Sequence, residues 1–245
     1  MSQTKHSVKL SAQDQNALDN IQYSDKLCDI DFTDLIVNKP WGSEYLLYES
    51  DLCAIWILNI SYKHNTSMHC HINKDTSLVC LEGEIACNTL NTKHILQPLE
   101  SIFLHKKVFH QSVATTQEGA TLLEIETPVN KFDLARIDDT YGRQGLEYED
   151  KHHYNQVNNL TLALQKNNNK KINDIQLEIV TISTIEDLKQ YPSNSLIAFL
   201  SKSLFIGKIQ KLNEISPQDC EQSSIVLIIS KDEDGYNHSI TKGDA

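Results

Sequence analysis

His69-Cys70-His71-Ile72-Asn73-Lys74-Asp75-Thr76 is followed by Gly83, and later by His105-Lys106-Lys107-Val108-Phe109-His110. Two histidines at i and i+2 of an extended segment project to one face. A third histidine from a later strand can close a three-nitrogen site whose metal keeps open positions, as catalytic centres need. The surroundings are spaced in a fixed way. Five residues separate Lys63 from His69, four separate His71 from Thr76, six separate Thr76 from Gly83, and two separate Lys107 from His110.

The hydrophobic period changes to two at Leu35. Cys53–Tyr62 alternates, with Trp56, Leu58, Ile60 and Tyr62 expected on one face. Further strands are read at Ser77–Leu81, Ile85–Leu90, Ser101–Leu104, Val108–Ala114 and Thr121–Glu126, with turns at Glu82-Gly83 and Pro98-Leu99-Glu100. Short strands at near-regular spacing between turn residues indicate a sandwich or barrel.

These spacings resemble the two cupin motifs. The first reads Gly, five residues, His-X-His, three or four residues, Glu, six residues, Gly; Lys63 stands at the first Gly and Thr76 at the Glu. The second reads Gly, five residues, Pro-X-Gly, two residues, His, three residues, Asn; Leu99, His105, Lys107 and Ala114 stand at the Gly, Pro, Gly and Asn, and His110 is kept. Lys39-Pro40-Trp41-Gly42 opens the region and Asp133-Leu134-Ala135-Arg136-Ile137-Asp138-Asp139-Thr140-Tyr141-Gly142-Arg143 closes it. Over Leu35–Tyr148 the chain is similar to the C-terminal cupin domain of the bifunctional mannose-1-phosphate guanylyltransferase/mannose-6-phosphate isomerase family. The segment Leu122-Leu123-Glu124-Ile125-Glu126 matches that family's Glu-containing strand. The family's Arg and Glu after the metal histidines are absent here, replaced by Ile72–Thr76.

The resemblance implies an all-β jelly-roll (cupin) barrel and a divalent metal on His69, His71 and His110. Zinc and iron suit imidazole best, with nickel and manganese as further candidates, and loss of the Glu ligand disfavours hard cations. Glu124 and Glu126 share one strand face; either reads as a general base or replacement ligand, or as a solvent-facing or fold-stabilising group. Lys74 reads as a phosphate or carboxylate binder or as a solvated loop lysine. Arg143, next to Tyr141, reads as a clamp on an anionic substrate or as a salt-bridge partner of Asp138 or Asp139. Trp41 and Tyr45 read as stacking residues at a barrel mouth or as core. His105 reads as a fourth ligand or second-layer group, or as a surface turn residue. Cys70, between two ligands on a strand, should face away from the metal.

Outside the cupin region, residues 1–34 form an N-terminal arm. Ser11–Ile21 is a candidate helix with Ser11 as N-cap and Asp14 at N3. After the cupin domain (35–150), residues 151–174 are asparagine-rich and read as a linker, with a candidate helix at Leu160–Gln165. Residues 175–245 form a smaller C-terminal β or α+β module. Strands are expected at Gln176–Ile182 and Ser224–Ser230, a helix turn at Ile185–Gln190, and paired strands around Gly207. Asp232–Ala245 reads as a frayed tail.

Composition narrows the function classes. The net charge is −11, without the basic stripe of a nucleic-acid binder and unsuited to anionic membranes. No apolar run approaches the ~20 residues that span a bilayer, and Met1–His6 lacks the apolar stretch of a secretion signal; the chain is expected to be cytoplasmic. Six cysteines without a Cys-X-X-Cys pair read as reduced, buried thiols. The expected partner is an anionic small molecule, a sugar phosphate above all; a homodimer stays open. The function expected is that of a metal-dependent isomerase or epimerase acting on a sugar phosphate or nucleotide-linked sugar. A three-histidine iron oxygenase and a non-catalytic sugar-binding or regulatory module are the alternatives.

Overall fold

A computed structural model describes residues 6–21, 23, 26–143, 148, 151–157, 162–201, 206–220 and 223–231. In chain order the regular elements are β1 (His6–Val8), α1 (Ala12–Leu18), β2 (Leu35–Lys39), β3 (Gly42–Glu49), β4 (Ala54–Ile60), β5 (Met68–Cys70), β6 (Asp75–Glu82), β7 (Ile85–Thr89), β8 (Lys93–Leu96) and β9 (Ser101–Leu104). They continue with β10 (His110–Ala114), β11 (Ala120–Thr127), β12 (Ala135–Asp138), β13 (Tyr154–Gln156), β14 (Asn169–Ile172), β15 (Ile175–Ile182), β16 (Leu196–Phe199), β17 (Ile209–Lys211) and β18 (Ser224–Lys231). Among the described residues no helix is long and apolar enough to cross a membrane.

Two facing sheets make the jelly roll. The larger runs β1-β9-β6-β11-β4-β3-β2-β13 and the smaller β12-β5-β10-β7-β8. Trp56, Leu58 and Ile60 of β4, Leu78 and Cys80 of β6 and Leu122 of β11 meet Ile85, Cys87 and Ala114 of the smaller sheet in one interior cluster. Period-two alternation makes this possible, because every second side chain of each strand enters the same layer. Tyr62, expected on that face, lies beyond the end of β4 and is exposed.

The opposite faces of the same strands are also buried. Ile55, Ile57, Val79, Leu81, Leu123 and Ile125 pack against Leu177, Ile179, Ala198, Leu227 and Ile229 of a third sheet, ordered β14-β15-β18-β16-β17. The C-terminal module is thus a third β layer on the outside of the larger sheet. On its far side Phe199, Val226 and Ile228 pack with Leu188 and Ile215, which come from the 3-10 turn Ile185–Leu188 and the end of the turn Leu212–Glu214. The helix turn and the strands around Gly207 fall where the sequence places them.

The polar segments are more ordered than their composition suggests. Ser11 caps α1 in a reciprocal box with Asp14. Asp14 is buried and accepts from the Phe109 N–H at 3.0 Å, while Ala17 and Leu18 pack on Cys70 and Phe109. The arm therefore covers the outer face of the smaller sheet, and β1 extends the larger one alongside β9. Within the asparagine-rich stretch, β13 pairs with β2 and β14 with β15, so it supplies sheet edges where a linker is expected. Leu162–Gln165 is not helical. Leu160, Thr161 and the tail Asp232–Ala245 lie outside the described residues.

The motif's glycine positions explain themselves in the backbone. Gly83 has φ +74°, and a Cβ there would collide with Gly119 O and Thr116 Oγ1. Lys63, Leu99 and Lys107, which stand where the motif has glycine, keep the left-handed backbone at φ +62°, +65° and +71°. The conformation is retained although the residue that adopts it cheaply is gone. Lys63 is exposed. Lys63→Gly is therefore expected to stabilise the fold by up to about 1 kcal/mol, read as a rise of roughly 2–4 °C in the melting midpoint. A lowered midpoint would contradict the strain argument.

Candidate metal centre

β5 and β10 lie side by side with His69 directly opposite His110. His71 follows two residues on, facing the same way. The ring centroids are 4.4 Å apart for His69 and His110, 5.1 Å for His69 and His71, and 5.5 Å for His71 and His110. One nitrogen from each lies within 4.8 Å of the other two. Cys70 points the other way, into the layer beneath α1, as strand alternation requires.

Each ring is held by its Nδ1. That atom lies 2.8 Å from Ser67 O in His69, 2.7 Å from Asp133 O in His71, and 3.1 Å from Val108 O in His110. A carbonyl can only accept, so Nδ1 carries the hydrogen and Nε2 the lone pair. Asp133 is fixed in turn, accepting from the Ile72 and Asn73 N–H groups at 2.9 Å. Burial, reinforced in His71 by Lys74 and in His69 by the other two histidines, holds those two rings well below the usual imidazole range. Burial also takes His110 down to about 4. Three neutral rings thus converge their lone pairs. Nε2 of His71 and of His110 is buried without a hydrogen-bond partner, which a structural histidine rarely tolerates. The donor set fits a divalent cation.

Two carboxylates enter from β11. Glu124 and Glu126 face inward, since Leu122 of the same face lies in the interior and Leu123 and Ile125 lie outside. Glu126 Oε1 is 3.8 Å from His71 Nε2 and 2.8 Å from Lys74 Nζ. Burial opposes the charge on Glu126, but Lys131 and Lys74 outweigh it and hold the carboxyl below the ordinary range. Burial pushes Glu124 up to about 7, and the charge of Glu126 adds to it. The environment separates the pair into one ionised carboxylate and one proton carrier.

The three histidines and the two carboxylates open onto one cavity. Its walls include the three histidines, both β11 carboxylates, Trp41, Lys39, Lys131, Arg136 and Arg143. Arg136 is buried on β12 directly opposite His69. Glu44 sits between Lys39 Nζ at 3.2 Å and Lys131 Nζ at 3.3 Å, and accepts from the Tyr148 hydroxyl. Burial works against its charge, but Lys131 and Lys39 take Glu44 down to about 2. Lys131 also lies 3.7 Å from the centre of the Trp56 ring, a cation–π contact.

Several expected roles change. Lys74 is neither a solvated loop lysine nor a cavity-mouth anion binder: only 1% of its side chain is exposed and its ammonium is engaged by Glu126. Tyr45 sits opposite Ile57 on the outer face of β3 and packs towards the third sheet, so it does not line the mouth. Trp41 does line the cavity. Arg143 also lines it, while making the anticipated salt bridge, 2.7 Å to Asp139 Oδ1 and 3.0 Å to Oδ2. His105 is 37% exposed, hydrogen-bonds Ser7 Oγ at 3.2 Å, and takes no part in the centre. Sequence reading missed Glu44, Lys131 and Arg136 as site residues. The available signal was Glu44 itself, a charge two residues before the core residue Leu46 on β3.

No family model matches the sequence, and no curated protein matches it. Among solved structures the chain is similar to KdgF from Halomonas sp., at 11% identity over 43% of this chain and 89% of that one, TM-score 0.35. It is similar to a sugar phosphate isomerase of the cupin superfamily from Silicibacter pomeroyi, at 18% identity over 42% and 76%, TM-score 0.35. It is also similar to an RmlC-like cupin from Shewanella frigidimarina, at 18% identity over 42% and 84%, TM-score 0.33. Neither the identities nor the scores assign a role to any residue of this chain.

Proposed function

We propose that the chain is a metal-dependent cupin acting on a sugar phosphate or nucleotide-linked sugar, with isomerase- or epimerase-like chemistry. The observation that carries this reading is the convergence of three imidazole lone pairs and two unlike carboxylates on one cavity with cationic walls. A divalent cation on His69, His71 and His110 supplies Lewis acidity at a carbonyl or hydroxyl oxygen. Glu124 takes and returns the proton on carbon, with a pKa near working pH as general acid–base transfer favours. Arg136, Arg143 and Lys131 line the cavity and give its wall positive charge, which favours an anionic substrate. Trp41, Leu58, Leu78 and Leu122 line the rest of the cavity and exclude water from the reacting atoms. The sequence resemblance to the mannose-6-phosphate isomerase cupin domain supports the sugar-phosphate substrate class.

The test uses the full chain loaded with zinc or iron and given mannose 6-phosphate in deuterated water. Deuterium is expected at the carbon beside the carbonyl, and Glu124→Gln is expected to slow its incorporation by roughly 10²–10⁴-fold. Oxygen uptake by the iron-loaded chain without exchange would replace this reading with the oxygenase. Sugar binding without either reaction would replace it with the binding module.

A further inference from the structure

Thr76 occupies the position where the first motif has its carboxylate ligand. It offers a hydroxyl in place of a carboxylate, and its Oγ1 is buried without a hydrogen-bond partner. The residue directly opposite Thr76 on the neighbouring strand is Glu126. Paired residues on adjacent antiparallel strands have Cβ atoms about 4.5–5.5 Å apart and face the same side of the sheet. A carboxylate on Glu126 therefore starts one strand spacing from the lost one and enters the same interior.

We infer that Glu126 is the anionic ligand of the metal centre, supplied from β11 in place of Thr76 on β6. The inference rests on the reading of the three histidines as a metal centre. The approach is through His71, which belongs both to the three-histidine group and to a second group with Glu124 and Glu126 whose ligand atoms lie within 4.8 Å of one another. Two ligand atoms at about 2.0–2.2 Å from one cation are separated by roughly 3.0–3.5 Å, and Glu126 Oε1 lies 3.8 Å from His71 Nε2. That distance is too long for a hydrogen bond between them, so neither atom satisfies the other. The contact with Lys74 at 2.8 Å orients the carboxylate without exhausting it, because an ionised carboxylate offers about four lone-pair positions. Ligating carboxylates are commonly held this way by a second partner. Glu124 stands two residues before Glu126 on the same strand, opposite Leu78 and Trp56 and likewise within 4.8 Å of His71; Glu126 is assigned the ligand role because it is the carboxylate opposite Thr76 and the one oriented by Lys74.

The charge consequence differs from the expectation drawn from Thr76 alone. Three neutral rings would leave a cation's charge uncompensated, whereas Glu126 removes one unit. Hard cations such as manganese are then accommodated better than a three-histidine set allows.

The experiment is metal titration of the full chain, stripped and reloaded with Zn²⁺, Mn²⁺ and Co²⁺, with the Co²⁺ absorption spectrum as a report on coordination. Glu126→Gln alone would leave the Lys74 ammonium buried without a counter-ion. Lys74→Met/Glu126→Gln removes both charges, so local net charge is unchanged and a loss of affinity reports ligation. That variant is expected to bind Zn²⁺ about 10–100-fold more weakly, to lose more for Mn²⁺, and to show an altered Co²⁺ spectrum. Thr76→Glu/Glu126→Gln returns a carboxylate to the motif position and is expected to recover much of the affinity. Unchanged affinity and spectrum in Lys74→Met/Glu126→Gln, with binding lost in His71→Ala, overturns the Glu126 assignment and leaves the centre standing. A wild-type chain that binds none of the three metals overturns both.

Discussion

His71→Ala is expected to lower affinity for a divalent cation at least 100-fold and to leave the purified protein essentially metal-free. His71 is the proposed ligand that lies next to both the other histidines and the β11 carboxylates. Its Nε2 faces Glu126 as well as His110, and its Nδ1 is fixed on the Asp133 carbonyl. Removing it deletes one of three imidazoles together with its hydrogen bond to the Asp133 carbonyl. Elemental analysis gives the direct measurement, and thermal unfolding an independent one. A ligand at about 1,000 times its Kd stabilises the folded state by roughly 4 kcal/mol, so added metal should raise the wild-type midpoint and leave that of the variant unchanged. His105→Ala, a change at an exposed turn on the same sequence motif, should keep both metal and thermal response. Equal metal content in His71→Ala and wild type would remove His71 from the centre.

The second large effect concerns the third sheet. Leu227 is fully buried on β18, in the layer shared with the larger barrel sheet. Leu227→Asp puts an unpaired charge into that layer and is expected to cost about 4 kcal/mol or more. Both tryptophans, Trp41 and Trp56, lie inside the barrel, so their fluorescence follows the barrel and not the sheet that bears the substitution. Because one apolar layer joins the two, the tryptophan-detected midpoint should fall by roughly 8–16 °C in a single transition. An unmoved tryptophan midpoint, with loss of structure confined to the C-terminal sheet, would show two independent parts.

Local spacing made the barrel legible. The His69-X-His71 pair, its distance to Gly83, and the short strand-like runs bounded by turn residues are short-range patterns, and the strands fall close to where those patterns put them. The backbone at Lys63, Leu99 and Lys107 follows the motif even without its glycines, because turn geometry is set by the strands it joins. The α1 cap was legible for the same reason: Ser11 and Asp14 act within one turn. Other features carried a signal that alternation hides. Ala54-Ile55-Trp56-Ile57-Leu58 and Ile225-Val226-Leu227-Ile228-Ile229 are apolar without interruption, which marks strands covered on both faces. The short polar strands β1, β13 and β14 gave none, since an edge strand is held by backbone pairing more than by side-chain burial.

By itself, then, the sequence determined that this chain closes a β barrel and turns three histidines towards one point, because strand period and motif spacing act over a few residues. Tertiary structure decided what else reaches that point. Glu126 opposite Thr76 is a matter of β6–β11 register. The burial of Lys74 against Glu126, and the packing of the third sheet behind both strands, likewise depend on contacts between segments far apart in the chain. Side chains that meet only across strands have no fixed offset in sequence, so their partnership is settled by how the sheets pair and stack.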